Sequence, residues 1–556
     1  MSTNGARKSG SDRGMPDRRS LLLGGSALAC MAPFGALRAQ PGGTTPRNPF
    51  DLTVQAAPHL EPVIPRPAQE QAAADKLAAL RARTGRPPNI LIFLVDDMGW
   101  GDVGAFGGGL LIGAPTPHID ALAAGGLKLL STYSQPTCTP TRAALMTGRI
   151  PVRSGLNRPL LSGERYKVNP WADEVTAARL LSDAGYTTAL SGKWHLGEGE
   201  GLYPHQVGYD EYYGILTVIS EMSQQVDGRL YPDLVLRPDR LNAIRSIAPA
   251  HITRGIKGGE IGIDRATRTI DELSRIDQHF ADFSEGFIRR QAEAKNPFYL
   301  IHSFGRLHND TYPAPGYAGK SPAGFPHRDA IIEVDDIVGR LMRVLRETGQ
   351  EENTLVFFTS DNGGNEDLWP DSSYQPFRGG KGTTWEGGVR VPGIASWPGM
   401  IRAGRISDGL FDLCDLFNTA VALAGQEGKI SPDRYIDGVD QSSFLLADDG
   451  ASRRDAVFMY RENQVTALRW MEYKVHFMVF QNETVRRNLD ASTLTPVGQS
   501  PWVFNLYMDP KEQASQGHSR FEWGLPQVSA RLNRHLATFE RFPAKDLGLA
   551  KRPGGG

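Results

Sequence analysis

The sequence predicts an α/β protein: a mostly parallel β-sheet flanked by helices, followed by a smaller antiparallel sheet. Three observations predict it. Apolar runs of strand length alternate with helical patterns between residues 88 and 428. Four of those runs end in polar clusters, where open α/β sheets carry their sites. Beyond about residue 430, short strand-like runs follow one another without long helices between them.

The elements follow in chain order. Residues 1–39 read as an export leader of twin-arginine type, with Arg18-Arg19 before an apolar stretch. Gly24, Gly25 and Pro33 interrupt that stretch, which is too short for a stable membrane span. The expected location is periplasmic or secreted. Residues 40–87, rich in Pro, Ala, Gln and Arg, read as an extended arm with a short helix over 75–83. The run 89–95 (NILIFLV) is a buried parallel strand ending at Asp96-Asp97. Further strands are expected at 187–191, ending at Gly192-Lys193-Trp194-His195; at 298–303, leading to His308; and at 355–360, ending at Asp361-Asn362. Helices are expected over 117–125, 143–146, 175–184 and 328–348. The segment 220–290 is polar and weakly patterned and reads as an insertion near a substrate entrance. The segment 418–425 closes the main domain. Residues 429–556 form the smaller subdomain, with strands at 456–460, 466–470, 474–480 and 503–507 and a helix over 526–542.

Composition excludes some functions. The 61 Lys and Arg against 62 Asp and Glu give a net charge of −1. A nucleic-acid binder would need a basic stripe. Of three cysteines, Cys30 falls in the leader, leaving Cys138 and Cys414. Cys414 lies in an apolar, helical run and reads as a small core residue. Cys138 then stands free in an oxidising compartment.

Asp96, Asp97, Asp361 and Asn362 come from two distant strands and supply three carboxylates and an amide oxygen. An all-oxygen set favours a hard cation, calcium before magnesium. Cys138 opens a helix, whose N-terminus presents free N–H groups and partial positive charge to an anion. Arg142 is one turn further on. Lys193 and His195, two apart on an extended segment, point the same way: one suits an anionic oxygen, the other a proton. Lys381 lies in a glycine-rich loop whose spacing is not that of a P-loop. His308 follows the strand that also holds His302, and either imidazole fits a structural role.

Cys138-Thr139-Pro140-Thr141-Arg142, followed by Leu145-Met146-Thr147-Gly148-Arg149, resembles the signature of type I, formylglycine-dependent sulfatases, arylsulfatase-like members of the alkaline phosphatase superfamily. The segment from Gly379-Gly380-Lys381 to Val391-Pro392 is also similar to that family, as are Leu468–Val475 and Asn505–Pro510 in the smaller subdomain. The resemblance implies an alkaline-phosphatase-like fold and hydrolysis of a sulfate ester. It also implies that a formylglycine-generating enzyme converts Cys138 to formylglycine, whose hydrate attacks sulfur. Residues matching Asp96, Asp97, Asp361 and Asn362 would bind calcium beside residue 138. Those matching Arg142, Lys193, His195, His308 and Lys381 would surround the sulfate. One departure is local: Asn309-Asp310-Thr311-Tyr312 precedes Pro313, where the family often places proline sooner after the histidine.

Two alternatives stay open: a phosphonate monoester or phosphodiester hydrolase of the same superfamily, and an inactive relative that binds sulfated glycans. The sequence leaves the alcohol carrying the sulfate open among aryl, alkyl, steroid and carbohydrate classes.

Overall fold

The computed structural model describes residues 48–160, 169–248, 250–366, 370–480, 494–498 and 500–547. The leader expected at 1–39 lies outside the described residues. The large sheet contains β1 (Asn89–Val95), β2 (Leu127–Tyr133), β3 (Thr187–Gly192), β4 (Glu211–Gly214), β5 (His251–Ile256), β6 (Gly262–Ala266), β7 (Phe298–Ser303), β8 (Thr354–Ser360), β9 (Arg390–Ser396), β10 (Arg405–Ser407) and β11 (Phe411–Asp412). Its order is β10-β2-β9-β8-β1-β7-β3-β4-β5-β6, with β11 also on β2.

β1 is central and runs parallel to β7 and β8, with Ile92 opposite Ile301 and Phe357. All seven of its residues are buried, because helices cover both faces. Successive side chains alternate between two cores. Ile90, Ile92 and Leu94 pack with the helices Cys138–Thr147, Ala177–Asp183 and Asp415–Leu423. Leu91, Phe93 and Val95 pack with Pro117–Ala124, Ile276–Ala294 and Pro326–Glu347. β3 is parallel to β7 and β4, while β9 runs antiparallel to both β8 and β2.

A four-stranded antiparallel sheet follows, made of Ala456–Arg461, Gln464–Trp470, Tyr473–His476 and Trp502–Asn505. The helix Leu525–Arg541 buries Val528 against Leu468 and Trp470 of that sheet. The large and small sheets belong to one compact unit. Among the described residues no helix is long and apolar enough to cross a membrane.

Three expectations need correction. The arm is packed rather than extended: Leu60 bridges Ile436, and the helix is Pro67–Thr84, starting eight residues earlier than 75. Its Ala73 and Leu80 are buried, and Lys76 Nζ donates to the carbonyls of Met400 and Leu446. The 220–290 segment is largely ordered secondary structure: β5 and β6 extend the sheet, and Ile276–Ala294 lines the core. β6 is exposed along its whole length, so it carries no apolar alternation. The run 474–480 divides in two, Met478–Phe480 pairing instead with Leu494–Pro496.

β9 was also missed, because Pro392 within it argues against an interior strand. A register shift in β2 between Leu129 and Thr132 leaves Pro392 without a partner there. Pairing with β8 ends at Gly393.

Ile92 is fully buried at the centre of the sheet, whereas Ile406 is 62% exposed. Ile92→Ala is expected to cost about 2–5 kcal/mol, and Ile406→Ala less than about 0.5 kcal/mol. Chemical denaturation of both variants checks the contrast.

Candidate active site

Strands β8, β1, β7 and β3 are consecutive neighbours and parallel, so their carboxyl ends share one edge. Lateral backbone bonds carry the order past the strand ends. Asp361 N donates to Val95 O at 3.0 Å, Asp96 N to Arg306 O at 2.9 Å, and Lys193 N to Ser303 O at 3.0 Å. Asp96, Asp97, Lys193, His195, Asp361 and Asn362 are thereby brought together, and His308 arrives from the loop after β7. Asp97 and His195 have φ of 63° and 57°. This left-handed region is unfavourable for residues with a Cβ, and such strain concentrates at functional sites. At His195 it also replaces the extended alternation expected from sequence.

Three carboxylates meet three cations in this buried volume. Lys193 Nζ lies 2.7 Å from Asp96 Oδ2, and Lys381 Nζ lies 2.7 Å from Asp97 Oδ1. Arg142 Nε donates to Asp361 Oδ2 at 2.9 Å, while its Nη1 donates to Ser303 Oγ at 2.6 Å and Lys193 O at 2.8 Å. The guanidinium therefore ties β8, β7 and β3 to the helix opened by Cys138. Ser303, unremarked in the sequence, bridges Arg142 and the Lys193 carbonyl. Its place as the last residue of β7 was the available signal.

Cys138 is buried beside both histidines. Burial opposes ionisation of its thiol, but Lys193 and Lys381 outweigh that and hold it well below its ordinary pKa. His195 Nε2 faces the carbonyl of Leu160 at 3.1 Å. A carbonyl only accepts, so Nε2 carries the proton and Nδ1 is a bare acceptor. Burial, then Lys193, lowers the pKa of this imidazole. His308 goes the other way: burial and Lys381 oppose its charge, yet Asp97 and Asp96 raise its pKa overall. Its Nδ1 faces the Asn309 carbonyl, and its Nε2 stands 4.0 Å from Asp97 Oδ2. His302 is elsewhere, in the core, on Ser284 Oγ and against Phe304, where burial pushes its pKa down to about 3. Cys414 is buried and free beside Arg454.

The acid cluster fits a hard divalent cation. Asp96, Cys138 and Asp361 offer ligand atoms all within 4.8 Å of one another. Asp96 Oδ1 and Asn362 Oδ1 are buried without a hydrogen-bond partner among the described residues, a costly condition that a cation would relieve. Asn362 Nδ2 meanwhile donates to Asp97 Oδ1 at 2.7 Å, which fixes its oxygen's direction.

Such a site, with carboxylates able to hold a metal, cations able to hold an anion and Cys138 at a helix N-terminus, is chemically suited to hydrolysing esters of tetrahedral oxyanions. Comparison with known proteins narrows this class. The sulfatase profile matches residues 88–426, and the profile for the C-terminal region of aryl-sulfatase matches 452–546. N-acetylgalactosamine-6-sulfatase of Canis lupus familiaris is 35% identical over 82% of this chain and 86% of its own. Arylsulfatase A of Bos taurus is 35% identical over 77% and 82%. The crystal structure of the PsFucS1 sulfatase from Pseudoalteromonas sp. superposes with a TM-score of 0.88 at 53% identity, covering 90% of this chain and all of that one. The chain belongs to the sulfatase family. It is a sulfuric ester hydrolase.

Removing Arg142 leaves Asp361 buried beside Asp96 and Asp97 without its main counter-charge. Breaking a buried pair from one side costs about 3–5 kcal/mol. Arg142→Met is expected to lose that much stability in chelator-treated protein, as read by denaturant unfolding.

Proposed function

We propose that this enzyme hydrolyses sulfate esters of sugars through a formylglycine at position 138, with a calcium ion held by Asp96, Asp97, Asp361 and Asn362. The observation that carries the reading is the meeting of Cys138, the acid cluster and Lys193, Lys381, His195 and His308 at one sheet edge. Three carboxylates already match the charges of Lys193, Lys381 and Arg142, so an added divalent ion would leave positive charge for the monoanionic ester and for the sulfate dianion released from it.

When bound, the calcium ion supplies fixed positive charge that polarises the sulfate. The hydrated aldehyde at 138 supplies two hydroxyls on one carbon, one to attack sulfur and one to let sulfate leave by elimination. Lys193 and Lys381 hold sulfate oxygens by charge. Arg142 acts through Asp361 and the Lys193 backbone, keeping both in place. Asp361 has a carboxylate oxygen within 4.8 Å of the Cys138 sulfur, which places it to take the first proton. His308, favoured in its charged form, donates a proton to the leaving alcohol. His195, kept neutral with Nδ1 bare, takes the proton of the second hydroxyl.

Asn309, beside His308 and held by Asn365 Nδ2 on its Oδ1 at 3.2 Å, gives the leaving-group side an amide that suits a hydroxyl. The sugar-named relative supports the same class. We read residues 1–39 as a twin-arginine leader to the periplasm or exterior, 40–87 as an arm, 88–428 as the catalytic domain and 429–556 as the smaller subdomain. Export in a folded state allows a formylglycine-generating enzyme to act beforehand.

Protein made in a host competent for the oxidation is expected to carry an aldehyde at 138 by peptide mass. Cys138→Ser is expected to fold normally, lose turnover and trap a sulfated serine. Parental turnover by that variant would refute the nucleophile. In a panel of N-acetylgalactosamine 6-sulfate, an aryl sulfate, a steryl sulfate and an aryl phosphonate, the sugar sulfate is expected to give the highest kcat/KM. A lead for the phosphonate would instead favour the phosphonate hydrolase alternative.

A further inference from the structure

Glu512 of the C-terminal subdomain holds the loop carrying Lys381 at two points. Glu512 Oε2 accepts from the backbone N of Glu386 at 2.7 Å, and the Glu512 carbonyl accepts from Arg378 Nη1 at 2.6 Å. Lys381 lies between these two attachment points. Within the loop, Lys381 N donates to Gly364 O at 3.0 Å, and Gly382 N donates to Pro136 O at 2.7 Å, two residues before Cys138. The Arg378 guanidinium stacks on Trp385 at 3.8 Å, and Thr466 Oγ1 donates to Thr384 Oγ1 at 2.8 Å.

Glu512 is itself held in direction. Its Oε1 meets His476 Nε2 at 2.6 Å and Lys474 Nζ at 3.3 Å, and Lys474 also reaches Glu386 Oε1 at 2.9 Å. Glu386, Lys474 and Glu512 are completely buried. Glu512 adopts φ of 51°, which a residue with a Cβ rarely takes. Apolar side chains of similar volume would join the two sheets at least as well as these buried charges. What the charges add is direction, because each bond fixes one atom of the loop.

We propose that Glu512 is a positioning residue for the reaction: by clamping both ends of the 378–388 loop it sets where the Lys381 ammonium stands against the sulfate. This rests on the reading of Lys381 as a sulfate-holding group. The test is a double-mutant cycle on the mature, calcium-loaded enzyme with a sulfate ester it turns over. Glu512→Ala is expected to lower kcat/KM about tenfold or more in the parent, but less than about threefold in the Lys381→Ala background. In the His195→Ala background the full loss is expected to return, because that residue stands in the segment after β3 and not on the clamped loop. Glu512→Gln keeps an acceptor for Glu386 N and is expected to recover most of the activity. Where Glu512→Ala fails to fold, as judged by thermal unfolding, Arg378→Met releases one end of the loop and is expected to show the same non-additivity with Lys381→Ala. Losses that multiply with Lys381→Ala, or an Arg378→Met enzyme and a folded Glu512→Ala enzyme both within about twofold of the parent, would overturn the inference. Near-parental turnover by Lys381→Ala alone would overturn the reading of Lys381 instead.

Discussion

The site depends on one constraint: three carboxylates and three cations lie together away from water, and none can be there without the others. An isolated carboxylate in such a place would take up a proton rather than stay charged. Lys193 on Asp96, Lys381 on Asp97 and Arg142 on Asp361 make the burial tolerable. The fold meets this constraint by ending four adjacent parallel strands at one edge. Among the described residues the same arrangement leaves Asp96 Oδ1 and Asn362 Oδ1 without a hydrogen-bond partner, so the cluster is incomplete in coordination.

Burial acts on the two histidines with opposite results because their neighbours differ. His195 faces Lys193 and a carbonyl, so its neutral form wins. His308 faces Asp97 and Asp96, so its charged form wins despite its burial. One imidazole is thus kept neutral and the other charged, in the segments that follow the neighbouring strands β3 and β7. A cation held by Asp97 would weaken the field at His308 and so ease release of its proton.

Much of this was legible in the sequence. β1 and β7 were read to the residue, since a fully buried parallel strand is an unbroken apolar run. The acid pairs stood out because they interrupt such runs at their ends. β9 was not legible, because the bulge that excuses Pro392 lies in a partner strand over two hundred residues away. β6 gave no pattern, having neither face covered. Arg142 lies on the helix opened by Cys138, as its spacing predicts, but its bonds to Ser303 and Asp361 depend on strand order, which periodicity does not carry. Glu512 was invisible for the same reason: nothing local distinguishes it from a surface glutamate.

The loop 378–388 shows why a second sheet belongs to this site. Gly379 and Gly382 have positive φ, and Gly387 and Gly388 have backbone oxygens 2.1 and 2.2 Å from where a Cβ would be. Glycine is required for the close approach of this loop to itself, and glycine is what makes a loop poor at holding a shape. In the proposed sulfate-holding role Lys381 needs a fixed place, since a charge misplaced by an ångström stabilises a transition state far less. Rigidity must then come from neighbours that do not share the loop's composition. The strands Gln464–Trp470 and Tyr473–His476 supply it through Thr466, Lys474 and His476, and the turn after Trp502–Asn505 supplies Glu512. The smaller sheet is on this view part of the catalytic apparatus, acting through the backbone of a loop it does not contain.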